Sequence, residues 1–122
     1  MAVTFNSYQD AVAFQPGRFS PQVVAGNERA KVILVGFEPG QFIPVHQPGV
    51  DLTLLVLEGQ GRIVAGDEEL AVGPGALAFV PAGEARGIQA ETRLVILHVV
   101  TPPPTDADHI QVMAGLQRGA WR

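Results

Sequence analysis

The 122-residue chain contains no cysteine, which excludes disulfides, thiolate metal ligands and a cysteine nucleophile together. It also lacks a basic cluster. Eight Lys and Arg stand against twelve Asp and Glu, for a formal charge of −4. A phosphate backbone needs a concentrated cationic face, so a nucleic-acid surface is not expected. No apolar run approaches the roughly 20 residues that cross a bilayer. The opening MAVTFNSYQD has no basic stretch leading into an apolar one. No secretory signal is read there, and the expected location is the cytoplasm. Catalytic signatures are missing as well: there is no G-x-S-x-G elbow, phosphate loop or dinucleotide fingerprint.

What the chain does have is apolar material in short pieces. Residues of the apolar class make up 47%, enough for a core, and ten prolines and fourteen glycines cut the chain at short intervals. Two strands are read at Gln22–Val24 and Ala30–Phe37, around the turn AGNE. QFIPVH is a third, and Pro44 marks it as an edge or an irregular ladder because proline gives no N–H to a neighbour. LTLLVLEG, ending at Gly59, is a buried strand. QGRIVAGDEELAVGPG reads as a hairpin turning at Gly66-Asp67. GALAFVPAG and TRLVILHVV complete seven or eight strands. No helix of crossover length lies between them, which excludes a doubly wound parallel sheet. The expectation is an all-β sandwich or small barrel formed by one domain, residues 1–122.

Short extensions flank this core, which runs from about residue 22 to 101. Ser7, with Asp10 three residues later, opens a short turn of helix. Pro102 to Pro104 stop the last strand and stiffen a C-terminal arm, residues 102–122. Within the arm, Thr105 and Asp108 have capping-box spacing, and Ile110, Met113 and Leu116 fall on one face of the helix they start. That face is expected against the barrel, with a crossing to a second subunit as the alternative. Trp121 is costly to leave in water and should dock.

Two glycine-anchored segments separated by the hairpin resemble the two motifs of the cupin superfamily. Gly40, five residues, His46 and the closing Gly59 fit the first motif. Gly75, ALAFV, Pro81, Gly83 and Arg86 fit the second. The resemblance covers roughly residues 30 to 100 and implies a small antiparallel jelly-roll β-barrel. It also implies a metal site of two histidines and a glutamate from the first motif and a histidine from the second, a donor set suited to iron, manganese, nickel, copper or zinc. Only His46 survives of these. Pro48, Leu52 and Arg86 stand where the other ligands would be, and Ala90 replaces the motif's asparagine. Proline and leucine offer no lone pair, and arginine stays protonated. The resemblance therefore supplies the fold and withdraws the metal, and no cofactor is expected.

The remaining candidates define a pocket. His46 and Arg86 should enter the barrel from neighbouring strands, among Phe42, Leu52, Leu54, Val56 and Phe79. Asp51 would join only through a one-residue slip of its strand. His98 shares a parity with Leu94 and Ile96, and sequence leaves open whether that face is inside. His109 is read as a surface residue, and Arg86 alternatively pairs with Glu84 or Asp51 at the rim. An apolar pocket with a fixed guanidinium suits a small carboxylate. The expected function is a metal-free small-molecule-binding barrel. The alternatives are a metal-dependent enzyme of dioxygenase or isomerase type with non-standard ligands around His46, a metal-free enzyme with His46 as general base, and a filled scaffold. A homodimer is expected from the resemblance.

Overall fold

The computed structural model describes residues 1–122. Nine strands follow a single-turn 3-10 helix at Tyr8–Asp10, and one helix ends the chain. The strands are β1 Ser20–Gly26, β2 Lys31–Phe37, β3 Phe42–His46, β4 Asp51–Glu58, β5 Gly61–Ala65, β6 Glu68–Val72, β7 Leu77–Val80, β8 Arg86–Ala90 and β9 Leu94–Thr101. The helix, α1, is Asp106–Arg118. A five-stranded sheet in the order β1-β2-β9-β4-β7 faces a four-stranded sheet in the order β3-β8-β5-β6, and every pairing is antiparallel. This is the jelly-roll expected. No helix is long and apolar enough to cross a membrane.

Local chemistry explains most of the element boundaries. β5 and β6 meet at a two-residue turn where Gly66 has φ +62, a left-handed backbone that glycine adopts without penalty. β3 is an edge strand, as Pro44 requires. β1 runs longer than the expected strand Gln22–Val24, continuing through a bulge between Val23 and Ala25. Ser7 caps the first turn, its Oγ accepting from the Gln9 N–H at 3.1 Å, and the Tyr8 hydroxyl donates to Glu58 at 3.0 Å. That bond ties the N-terminal segment to the end of β4 and gives Glu58 a partner rather than open water.

Thr105 and Asp108 form the reciprocal capping box that opens α1. The helix then lies on its own barrel against β3. Gly115 is buried there because a side chain at that position would collide with Pro44. The seated face is Val112, Gly115 and Leu116, whereas Ile110 points to solvent at 68% exposure, so the expected Ile110–Met113–Leu116 stripe is corrected by about one residue's rotation. Trp121 is half-buried, and its carbonyl accepts from the Val45 N–H at 2.7 Å. The arm thus docks within the same chain.

Candidate functional site

A bulge in β3 aims the first residue of the site. Ile43 pairs with Ile88 and His46 with Arg86, so β3 advances three residues while β8 advances two. The extra residue reverses the alternation of faces. Gly87 sits opposite, and a Cβ there would lie 2.6 Å from Val45 Cγ2 and 3.0 Å from its backbone N. Only glycine lets the bulged backbone approach this closely. The consequence is that Ile43 and His46, three apart, both face inward. Phe42 does not. It lines a separate shallow groove beside Leu116 and Gly119, which corrects its expected place in the barrel.

Behind the bulge the barrel holds a cavity of about 380 Å³, at the small end of the roughly 300–1,000 Å³ typical of ligand sites. Leu52 and Leu54 from β4, Ile33 and Val35 from β2, and Ile88 from β8 give it apolar walls. Pro104, Val112 and Met113 close one side from the C-terminal arm. Phe79 takes no part: it pairs with Thr53 on the outer face and is 60% exposed, while Ala78 and Val80 carry the inner face of β7. Val56 is buried in the core but lies away from the cavity.

Three polar side chains meet in this apolar chamber. Arg86 is buried, its Nη2 donating to the Pro81 carbonyl at 2.9 Å and to the Glu84 carbonyl at 3.3 Å, with Nε 3.4 Å from the same Glu84 oxygen. No carboxylate pairs with it, and Nη1 is buried without a partner. Burial pulls its pKa down from the ordinary arginine range, opposed by Asp51, Asp108 and Glu84. His98 lines the cavity from β9, directly between Ile33 and Leu54 in the ladder, and its Nε2 is buried and unpartnered. Burial, then the neighbouring His46 and Arg86, push its pKa from 6.5 to about 4, so the ring is neutral at physiological pH.

The His46 ring is fixed by its backbone. Its Nδ1 lies 2.8 Å from the Pro44 carbonyl, which can only accept, so Nδ1 carries the proton and Nε2 the lone pair of the neutral ring. Burial lowers the His46 pKa, the Pro44 carbonyl opposes this, and the Arg86 charge lowers it further. Two groups near the rim complete the field. Arg18 lines the cavity with its guanidinium 4.8 Å from the Phe19 ring centroid and its Nε buried and unpartnered. Asp108 lines it too, but Oδ1 accepts from the Gly49 N–H at 3.3 Å and Oδ2 from the Thr105 N–H at 2.9 Å.

The donors present do not fit a divalent cation. No three His, Cys, Asp or Glu side chains converge anywhere in the chain. Two imidazoles would have to hold the ion beside a buried guanidinium that repels it. Pro48 and Leu52, at two of the expected ligand positions, form part of the wall.

Of the residues singled out in the sequence, His46, Arg86, His98 and Leu52 come together in the cavity, and Asp51 and Phe42 stay outside it. No strand slip occurs at Asp51. Leu52 keeps its inward place, and the Asp51 carboxylate accepts from the Ala82 N–H at 2.8 Å, bracing the turn that carries Arg86's carbonyl partners. His109 is exposed yet reaches the cavity rim. Sequence reasoning missed Arg18 and the whole contribution of the arm. One signal for the arm was available: a glycine inside a helix costs about 1 kcal/mol relative to alanine, and Gly115 marks a close approach to another element.

The family described as Cupin domain matches residues 33–100. The chain is 32% identical to the protein TT1209 of Thermus thermophilus, with a TM-score of 0.72, over 81% of this chain and 96% of that one. It is 31% identical to an RmlC-like cupin protein of Desulfovibrio desulfuricans, with a TM-score of 0.74, over 84% of this chain and 99% of the other. The polyketide cyclase RemF of Streptomyces resistomycificus shares the fold at 21% identity, with a TM-score of 0.68, over 84% of this chain and 82% of that one. No curated protein matches the sequence.

Proposed function

This chain belongs to the cupin domain family, and from that premise we propose that it is a metal-free barrel binding a small carboxylate with an apolar body. The observation that carries the reading is Arg86 Nη1, a cationic donor buried in an apolar cavity with nothing to donate to. An unmet buried donor costs about 1–3 kcal/mol, more for a charged group, and a carboxylate oxygen relieves it. Arg18 adds a second positive charge at the rim, and the one carboxylate there, Asp108, already accepts hydrogen bonds on both oxygens. A cation has no free anionic partner in this chamber, and a wholly apolar ligand would leave Nη1 and His98 Nε2 orphaned.

Calorimetric titration with a panel of small carboxylates and their amides tests this. At least one carboxylate should bind and its amide should not, and Arg86→Met should weaken the carboxylate by at least about tenfold. The unliganded melting point of the variant is measured alongside, since Arg86 also holds the Pro81–Glu84 turn. Equal binding of acid and amide, equal binding to the variant, or no binder in the panel each overturns the reading.

We also propose that a second copy covers the outer face of β7. Leu77 and Phe79 are 71% and 60% exposed on this edge strand, beside Leu55 and Thr53 of β4. Two copies packed face to face about a two-fold axis would bury both rows. A dimer by sedimentation that becomes a monomer in Phe79→Lys supports this; a monomeric wild-type chain sinks it.

A further inference from the structure

A carboxylate on Arg86 leaves two ring nitrogens to account for, and they are not equivalent. His46 is the Cα partner of Arg86 across the β3–β8 ladder, where facing side chains stand about 5 Å apart at Cβ. Its Nδ1 proton is spent on the Pro44 carbonyl, which leaves the lone pair of the neutral ring on Nε2, and the Arg86 backbone carbonyl also lies near the ring. An acceptor therefore sits next to a cationic donor within one cavity. An unsubstituted carboxylate meets only the donor. Both of its oxygens are acceptors, and facing His46 Nε2 they would set lone pair against lone pair.

We propose that the ligand is a hydroxy acid, with its carboxylate on Arg86 Nη1 and a hydroxyl one or two carbons away donating to His46 Nε2. This deepens the carboxylate reading and rests on it. The hydroxyl's own lone pairs, or the second carboxylate oxygen, are then within the region faced by His98, whose orphaned Nε2 can carry the ring proton because no other group claims it. Donor and acceptor thus alternate around the chamber as Arg86, ligand carboxylate, ligand hydroxyl, His46. The apolar walls of Leu52, Leu54 and Ile88 take the ligand's hydrocarbon end. Dicarboxylates are a poor match, because the second charge would lie against these walls or Asp108.

The probes are isocaproate, its α-hydroxy and β-hydroxy analogues as separate enantiomers, the α-methoxy analogue and isocaproamide, each titrated calorimetrically into the full chain. At least one hydroxy acid should bind about tenfold or more tightly than isocaproate, the increment of one well-made buried hydrogen bond. The methoxy compound, which accepts but cannot donate, should lose that advantage. In His46→Leu the advantage should also vanish while isocaproate binding persists. The ligand-side comparison needs no variant, so it stands even if His46→Leu folds poorly. If isocaproate binds as tightly as both hydroxy acids, or the methoxy compound keeps the advantage, the hydroxyl inference is wrong and the carboxylate reading survives. If isocaproamide equals isocaproate, or none of the probes binds, both fall.

Discussion

The two ends of the barrel are built from the same strands and packed in opposite ways. On β4, Val56 lies in solid core while Leu54 and Leu52 line the cavity. On β9, Leu94 and Ile96 are wholly buried while His98 and Val100 face the void. On β2, Phe37 is fully enclosed while Val35 and Ile33 border the cavity. The change falls within one inward step on each strand, and the ladder aligns the steps: Val56 pairs with Ile96, and Leu54 with His98. What changes is the partner sheet, where the bulge in β3 holds His46 at Arg86 and replaces aliphatic filling with two polar groups. A barrel this small is emptied by changing what its wall presents, and the filled end carries the stability that lets the other end stay hollow.

The comparison breaks most directly if equivalent leucines at the two ends prove equally costly. Leu94→Ala, at the filled end, should destabilise by about 5 kcal/mol, near the top of the range for buried leucines. Leu54→Ala should cost about 3 kcal/mol, near the bottom, because Leu54 has packing partners on fewer sides. Denaturant unfolding of the two variants decides. Equal losses would mean that the cavity collapses around Leu54 and that the hollow end is not held open.

A somewhat smaller effect tests the polar lining of the hollow end. His98 is neutral in the folded chain down to about pH 4, while the unfolded chain takes up the proton near the ordinary 6.5. Between those values the unfolded state binds the extra proton, so stability is full above 6.5 and declines as pH falls, with the loss complete below about 4. The expected loss is about 3 kcal/mol. His46, also lowered by burial, adds to it in the same direction, and Arg86 stays charged throughout. His98→Leu should flatten melting-point-against-pH curves over that window, leaving only the His46 share. An unchanged slope would place His98 in contact with water.

The smallest expected effect concerns the arm that walls the cavity. Gly115→Ala improves helix propensity, yet its methyl group meets Pro44, so a net loss of about 1–2 kcal/mol is expected along with weaker ligand binding. Stabilisation by this change would mean that α1 is not seated on β3, and that the cavity is open on that side.

The strands and turns were legible because each had a local cause. Pro44 marked the edge, Gly66-Asp67 the hairpin, and the period-two alternation of Leu52, Leu54 and Val56 the buried face of β4, while the inward face of β9 stayed open. The site was legible only in part. His46 and Arg86 came from motif spacing, which survives the loss of the metal ligands. Phe42 was misplaced because alternation was carried straight through a bulge that only the facing Gly87 reveals. Phe79 was misplaced by one step because nothing in LAFV says which parity faces the opposite sheet. The arm was unreadable as a wall, since a thirteen-residue helix with Ile110, Val112, Met113 and Leu116 offers two overlapping apolar faces and only docking selects one.

Arg86 has one further consequence. An arginine in solution has several rotatable bonds to immobilise before it can grip an anion, at up to about 2 kcal/mol of side-chain entropy. Here the Pro81 and Glu84 carbonyls hold the guanidinium plane in place, and Asp51 steadies the same turn through Ala82. Folding has already frozen the side chain that a guest needs. Association should therefore show little entropic penalty from the protein, and selectivity among guests should depend on their own stiffness.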